Sequence, residues 1–121
     1  MVSDWVRQTV REFGLSLGLT RFHFNDHNVA CVHVENIGSL FIETRTPEVL
    51  VYLARQDHWD LPRLERALTL VHPDEGLPMN VFCGLHRSNL VFGTCMPENT
   101  FTLSTLEQTV ETLRELHDRL R

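Results

Sequence analysis

Seven histidines and three cysteines are the side chains of this 121-residue chain best suited to chemistry. His23, Asp26 and His27 offer two imidazoles and a carboxylate within five positions, and Cys31 follows as a soft fourth donor. Such a set suits zinc or iron, but a motif this short needs a regular helix to turn both imidazoles to one side. Phe24-Asn25 between the histidines and Asn28 after them predict a turn, so the group reads as a polar surface loop. His58 beside Trp59 reads as an aromatic loop anchor. His33 alternates with Val32 and Val34 and faces solvent or a partner. His117, on an apolar helical stripe, reads as a satisfied edge residue. Cys31, Cys83 and Cys95 are odd in number, far apart and set in apolar strand-like runs, which predicts reduced, unpaired and mostly buried thiols. Burial would raise the Cys83 thiol pKa and leave it inert. With no G-x-S-x-G elbow, C-x-x-C pair or glycine-rich phosphate loop, the expectation is no catalytic residue, no metal and no cofactor. A small metal-dependent enzyme built on His23, Asp26 and His27 stands as an alternative.

The elements that must position these residues follow from length and patterning. The length predicts one domain over residues 1–121. An apolar fraction of 42% with 22% charged residues is that of a folded globular protein. A formal charge of -5, with eleven arginines and no lysine, disfavours nucleic acid and anionic membrane as partners. No apolar run reaches membrane-spanning length, and residues 1–5 carry neither basic leader nor apolar core, so a cytoplasmic location is expected. The first helix is predicted over residues 4–17, with Ser3 as N-cap, Gly18 as terminator and a face of Val6, Val10, Phe13 and Leu17 joined by Trp5. Three strands follow as a meander over residues 29–35, 39–45 and 49–55. A second helix over residues 61–71 has Asp60 as cap, Pro62 in its first turn and a stripe of Leu61, Leu64, Leu68 and Val71. Strands over residues 79–85 and 90–96 come next. The capping box Ser104-Thr105-Leu106-Glu107 opens the last helix, whose face is Leu106, Val110, Leu113, His117 and Leu120. The order is α-β-β-β-α-β-β-α, an α+β class with an antiparallel twisted sheet packed by helices.

One stretch suggests that this chain does not act alone. Side chains alternate across a strand, so Val49, Val51 and Leu53 face one way while Leu50, Tyr52 and Ala54 face the other. Both faces are apolar, whereas a small domain leaves a large share of its surface unburied. Cover by a second chain, hence a dimeric binding protein, is the expectation.

Several runs carry a family likeness: Ser3-Asp4-Trp5-Val6, Phe13-Gly14-Leu15-Ser16-Leu17-Gly18-Leu19, the strand from Val49, Ala67-Leu68-Thr69-Leu70, Gly76-Leu77-Pro78, and the entry to the last helix from Phe101. In this order and spacing the chain resembles the class I chaperones of bacterial type III secretion, most closely their SycN branch. The resemblance implies a non-catalytic protein that dimerises and holds the N-terminal segment of a secreted client in extended form. SycN-like members pair with a second small chaperone of the YscB type, where others form homodimers, and serve a gatekeeper of the YopN type. The family's dimer contact falls on Leu64, Leu68 and Val71 of the second helix and on Val81 and Cys83 of the fourth strand. Its client contact falls on the candidates Trp5, Phe13, Phe41, Val49, Val51 and Leu53. A non-secretory dimeric adaptor remains the other binding-protein alternative.

Overall fold

The computed structural model of the protein describes residues 2–56, 60–87 and 89–120. The expected anchor His58-Trp59 lies outside the described residues, as does Ser88 of the turn between the last two strands.

Helix α1 (Asp4–Ser16) starts where its cap dictates, for the Ser3 hydroxyl accepts the Val6 N–H at 3.3 Å. It stops at Gly18, whose φ of 79° is the left-handed conformation that a side chain disfavours. Strands β1 (Val29–Val34), β2 (Gly38–Arg45) and β3 (Glu48–Arg55) form the expected antiparallel meander. Helix α2 (Leu61–Leu70) is capped by Asp60, which accepts the Arg63 N–H at 2.9 Å. Strands β4 (Phe82–His86) and β5 (Asn89–Pro97) complete the sheet in the order β1-β2-β3-β5-β4, leaving β1 and β4 as its edges. The fourth strand begins later than residue 79 because the Thr94 hydroxyl donates to the Asn80 carbonyl at 2.7 Å, drawing the incoming chain across β5 before the ladder forms. Helix α3 (Leu103–Arg119) also corrects its expected start. Thr102 is the N-cap, its hydroxyl accepting the Thr105 N–H at 3.1 Å, so Ser104 lies inside the first turn and the Ser104/Glu107 box does not set the boundary.

The register sorts the sheet into two unlike faces. Leu40, Ile42, Val49, Val51, Leu53 and Phe92 lie on one face and are fully buried. Against them pack Val6, Val10 and Phe13 of α1 and Leu106, Leu113 and Leu116 of α3. His117 lies in this layer too, fully buried, its Nε2–H donating to the Leu53 carbonyl at 2.8 Å and its ring edge-on to Phe92. Arg55 ends the face, with Nη1 on Asp118 at 2.7 Å and Nε on the Ile37 carbonyl at 3.0 Å, so a buried cation fastens α3 to β3. The opposite face carries Cys31, Phe41, Leu50, Tyr52, Phe82 and Cys95.

That division corrects the cysteine expectation. All three are free, but Cys31 and Cys95 are exposed and Cys83 is half-buried, because strand alternation sends the first two to the face away from α1 and α3.

Candidate functional site

Among the described residues no three His, Cys, Asp or Glu side chains are grouped to hold a metal ion. His23 is exposed and donates from Nδ1 to the Arg21 carbonyl at 2.9 Å, while Asn25 Oδ1 accepts the His27 N–H at 2.8 Å, which builds the turn its composition predicts. Burial raises the pKa of the Cys31 and Cys83 thiols. No helix among the described residues is long and apolar enough to cross a membrane.

Exposed apolar side chains lie in three regions. The first is α2 with the edge strand β4. Of α2 only Ala67 is buried, whereas Leu61 and Leu68 are 63% and 51% exposed. On β4, Phe82 and Leu85 are 42% and 47% exposed. Val71 at the end of α2 and Leu77, Met79 and Val81 before β4 line one pocket of about 390 Å³. Of the predicted dimer residues, Leu68 is therefore exposed, Leu64, Val71 and Cys83 are half-buried, and Val81 packs into the core. Leu61 continues the exposed side of α2 at the i, i+3, i+7 spacing its stripe predicts, whereas Phe82 and Leu85, both missed by the sequence reading, point to opposite sides of β4.

The second is the sheet face away from α1 and α3. Phe41 stacks on Tyr52 with ring centroids 4.9 Å apart and planes at 8°, and His86 leans on both. Phe82 covers Gly93, where a Cβ would meet the Phe82 ring at 2.4 Å and the Tyr52 Cβ at 2.6 Å, so only glycine lets these rings lie flat on the sheet. Burial and then the nearby Glu43 carboxylate raise the Tyr52 pKa and keep its phenol neutral.

The third is α1 and its C-cap, where Trp5, Leu15 and Leu17 are exposed. Trp5 is held by its indole N–H, which donates to the Phe101 carbonyl at 2.9 Å. Of the predicted client residues, Trp5 and Phe41 thus remain accessible. Phe13, Val49, Val51 and Leu53 do not, for they lie in the core between the sheet and its two helices. They are corrected to core: the apolar faces of β3 and α1 in which they sit are the ones these elements turn towards each other.

Comparison with known proteins gives this geometry a family. The model of the type III secretory system chaperone SycN family matches residues 5–120. No curated protein matches the sequence. Among solved structures, the HopA1-SchA chaperone-effector complex contains a chain that superposes with a TM-score of 0.77 at 17% identity, covering 97% of this chain and 93% of that one. SycH of Yersinia pestis, solved with a stable fragment of YscM2, gives 0.67 at 16%, covering 95% and 96%. YbjN of E. coli, described as a putative transcription regulator, gives 0.63 at 14%, covering 90% and 86%. At such identities these structures speak for the fold alone, and one fold hosts several functions. The family model, spanning nearly the whole chain, goes further: this protein belongs to the SycN family of type III secretion chaperones.

Proposed function

We propose that this protein is a non-catalytic, cytoplasmic secretion chaperone that pairs with a second small chaperone of the YscB type and holds the N-terminal segment of a YopN-type gatekeeper in extended form. The observation that carries the proposal is the exposed apolar side of α2, Leu61 and Leu68, in a chain matched to that family from residue 5 to residue 120. That side of α2 is where the partner chaperone sits, with Leu64, Leu68, Val71 and Cys83 in the contact, Leu61 beside them, and Val81 supporting the neighbouring pocket.

Magnitudes support a partner. The accessible surface is 7405 Å², against about 6,700 Å² for a compact monomer of this mass. That is roughly 700 Å² more than a compact chain of this mass exposes. Holding an unfolded client is a separate task, because each client residue fixed costs about 1–2 kcal/mol of backbone entropy and one Leu-sized pocket returns only about 1.5–3 kcal/mol. Several pockets are needed. Trp5, Leu15 and Leu17 on α1, together with the unpaired edge of β1, supply the client surface on this proposal, apolar anchors beside a row of backbone groups open to strand addition.

The test is Leu68→Asp, co-expressed with the candidate partner and weighed by light scattering. The substitution is expected to leave a folded chain and abolish the dimer mass. A folded variant that still assembles at the wild-type mass overturns the interface. Affinity capture from the native cell, read by mass spectrometry, is expected to return one small chaperone and one secreted protein, and capture of neither overturns the function.

A further inference from the structure

A groove of about 540 Å³ runs over the sheet face away from α1 and α3, floored by the stacked Phe41 and Tyr52 and bordered by His27, His33, His86 and Arg87. Its described lining contains no carboxylate, in a chain whose formal charge is -5. Glu43, the acid beside Tyr52 on this face, lies outside that lining and pairs with Arg45 at 3.4 Å. Arg87 is exposed on the turn after β4, with a left-handed φ of 50°. The imidazoles come from three separate segments, His27 from the loop before β1, His33 from β1 and His86 from β4, so folding alone gathers them.

We propose that this groove binds an acidic stretch of the client segment, with an apolar side chain on the Phe41-Tyr52 floor and flanking carboxylates on Arg87 and the imidazoles. Charge complementarity selects this occupant. A basic segment finds its counter-charges elsewhere on the acidic surface, while a guanidinium and three imidazole N–H donors around an aromatic floor match carboxylates spaced about an apolar residue. Burying an aliphatic or aromatic side chain on the floor supplies affinity, and the rim supplies direction and selectivity. The inference rests on the chaperone function proposed above and names the chemistry of one part of its client.

The experiment uses the full chain and three fluorescein-labelled peptides of about 15 residues that alternate Leu or Phe with Glu, with Gln, or with Arg. Anisotropy titration is expected to rank Glu over Gln by about tenfold, with Arg weakest. Raising NaCl from about 50 to about 300 mM should erase most of the Glu preference. Arg87→Glu, at an exposed turn that the fold does not depend on, should lower Glu-peptide affinity about tenfold and leave the Gln peptide unchanged, whereas Arg87→Lys should retain most of it. Equal affinity for the three peptides, a preference for Arg, or indifference to Arg87→Glu overturns the acidic occupant. These outcomes are separable from failure of the chaperone function: a protein that captures a secreted client yet shows no Glu preference refutes only this inference, and one that captures no client refutes the function.

Discussion

Cys95 is exposed, yet its thiol is harder to ionise than a free cysteine. Its S–H donates to Glu48 Oε2 at 3.0 Å, a hydrogen bond that favours the protonated form, and partial burial and the carboxylate's charge push the same way, so the pKa is raised. The thiolate is the reactive species. A raised pKa means less thiolate near pH 8 and slower reaction, despite the accessibility. Glu48→Gln removes the charge and should speed modification of Cys95 by an aromatic disulfide roughly two- to fivefold, followed site by site by peptide mass spectrometry, with Cys31 as the internal control. An unchanged Cys95 rate would mean that the Glu48 contact does not govern ionisation. Why these cysteines read as buried from the sequence is also a matter of single residues. Cys31 lies between Ala30 and Val32, and Cys95 between Thr94 and Met96. Both runs are apolar enough to be core, and period-two alternation tells which residues share a face without telling which face the helices cover. Ala30 and Met96 took the covered side, and the cysteines took the other.

At the scale of elements, α2 buries fewer residues than α1 or α3. Its stripe of leucines points largely to solvent, Ala67 is its buried residue, and Arg66 Nη2 reaches across to the Leu120 carbonyl at the end of α3, 3.0 Å away. That bond satisfies one of the orphan carbonyls of a helix C-terminus and places a cation at its negative pole. Arg66→Ala should therefore raise amide exchange in α2 and in the last turn of α3, while costing only about 0.5–1.5 kcal/mol overall. Hydrogen-exchange mass spectrometry checks it, and protection in α2 equal to wild type would show that Arg66 does not anchor the helix. The position of α2 could be read from Asp60 and Pro62 because a cap and an N-terminal proline are local signals. The exposure of Leu61 and Leu68 could not, since an amphipathic stripe looks the same whether it meets its own core or another chain. The start of α3 departs from its expected position for a related reason. Ser104 and Glu107 have the spacing of a capping box, but Thr102 stands two residues earlier in extended conformation and claims the role. Phe101, fully buried, fixes where that extended residue sits, and tertiary contact of this kind leaves no trace in a short window of sequence.

For the whole molecule, two kinds of apolar surface have to be told apart, the one that makes the fold and the one left over once it is made. The sequence shows an apolar surplus and the order α-β-β-β-α-β-β-α, both properties of composition and pattern. It does not show that Val49, Val51 and Leu53 make the core while Tyr52 and Phe41 stay accessible, because that choice is made by α1 and α3 settling on one face of the sheet. Leu53 and Leu68 are the same residue type on the two sides of this division. Leu53 is fully buried under α3, with its carbonyl held by His117. Truncation there leaves a void beside fixed neighbours, so Leu53→Ala should cost about 2–5 kcal/mol. Leu68, half exposed on α2, has little to lose within the monomer, and its replacement by Asp should stay within about 1 kcal/mol of the wild type. The two effects are expected to cross over in assembly: Leu53→Ala lowers the urea midpoint of the isolated chain yet forms the wild-type complex below its transition, whereas Leu68→Asp keeps the midpoint and loses the complex. Urea titration and light scattering on the same preparations separate the cases. A Leu53→Ala chain as stable as wild type would place the core elsewhere, and a Leu68→Asp chain that unfolds with it would make α2 a pillar of the monomer instead of a surface reserved for a partner.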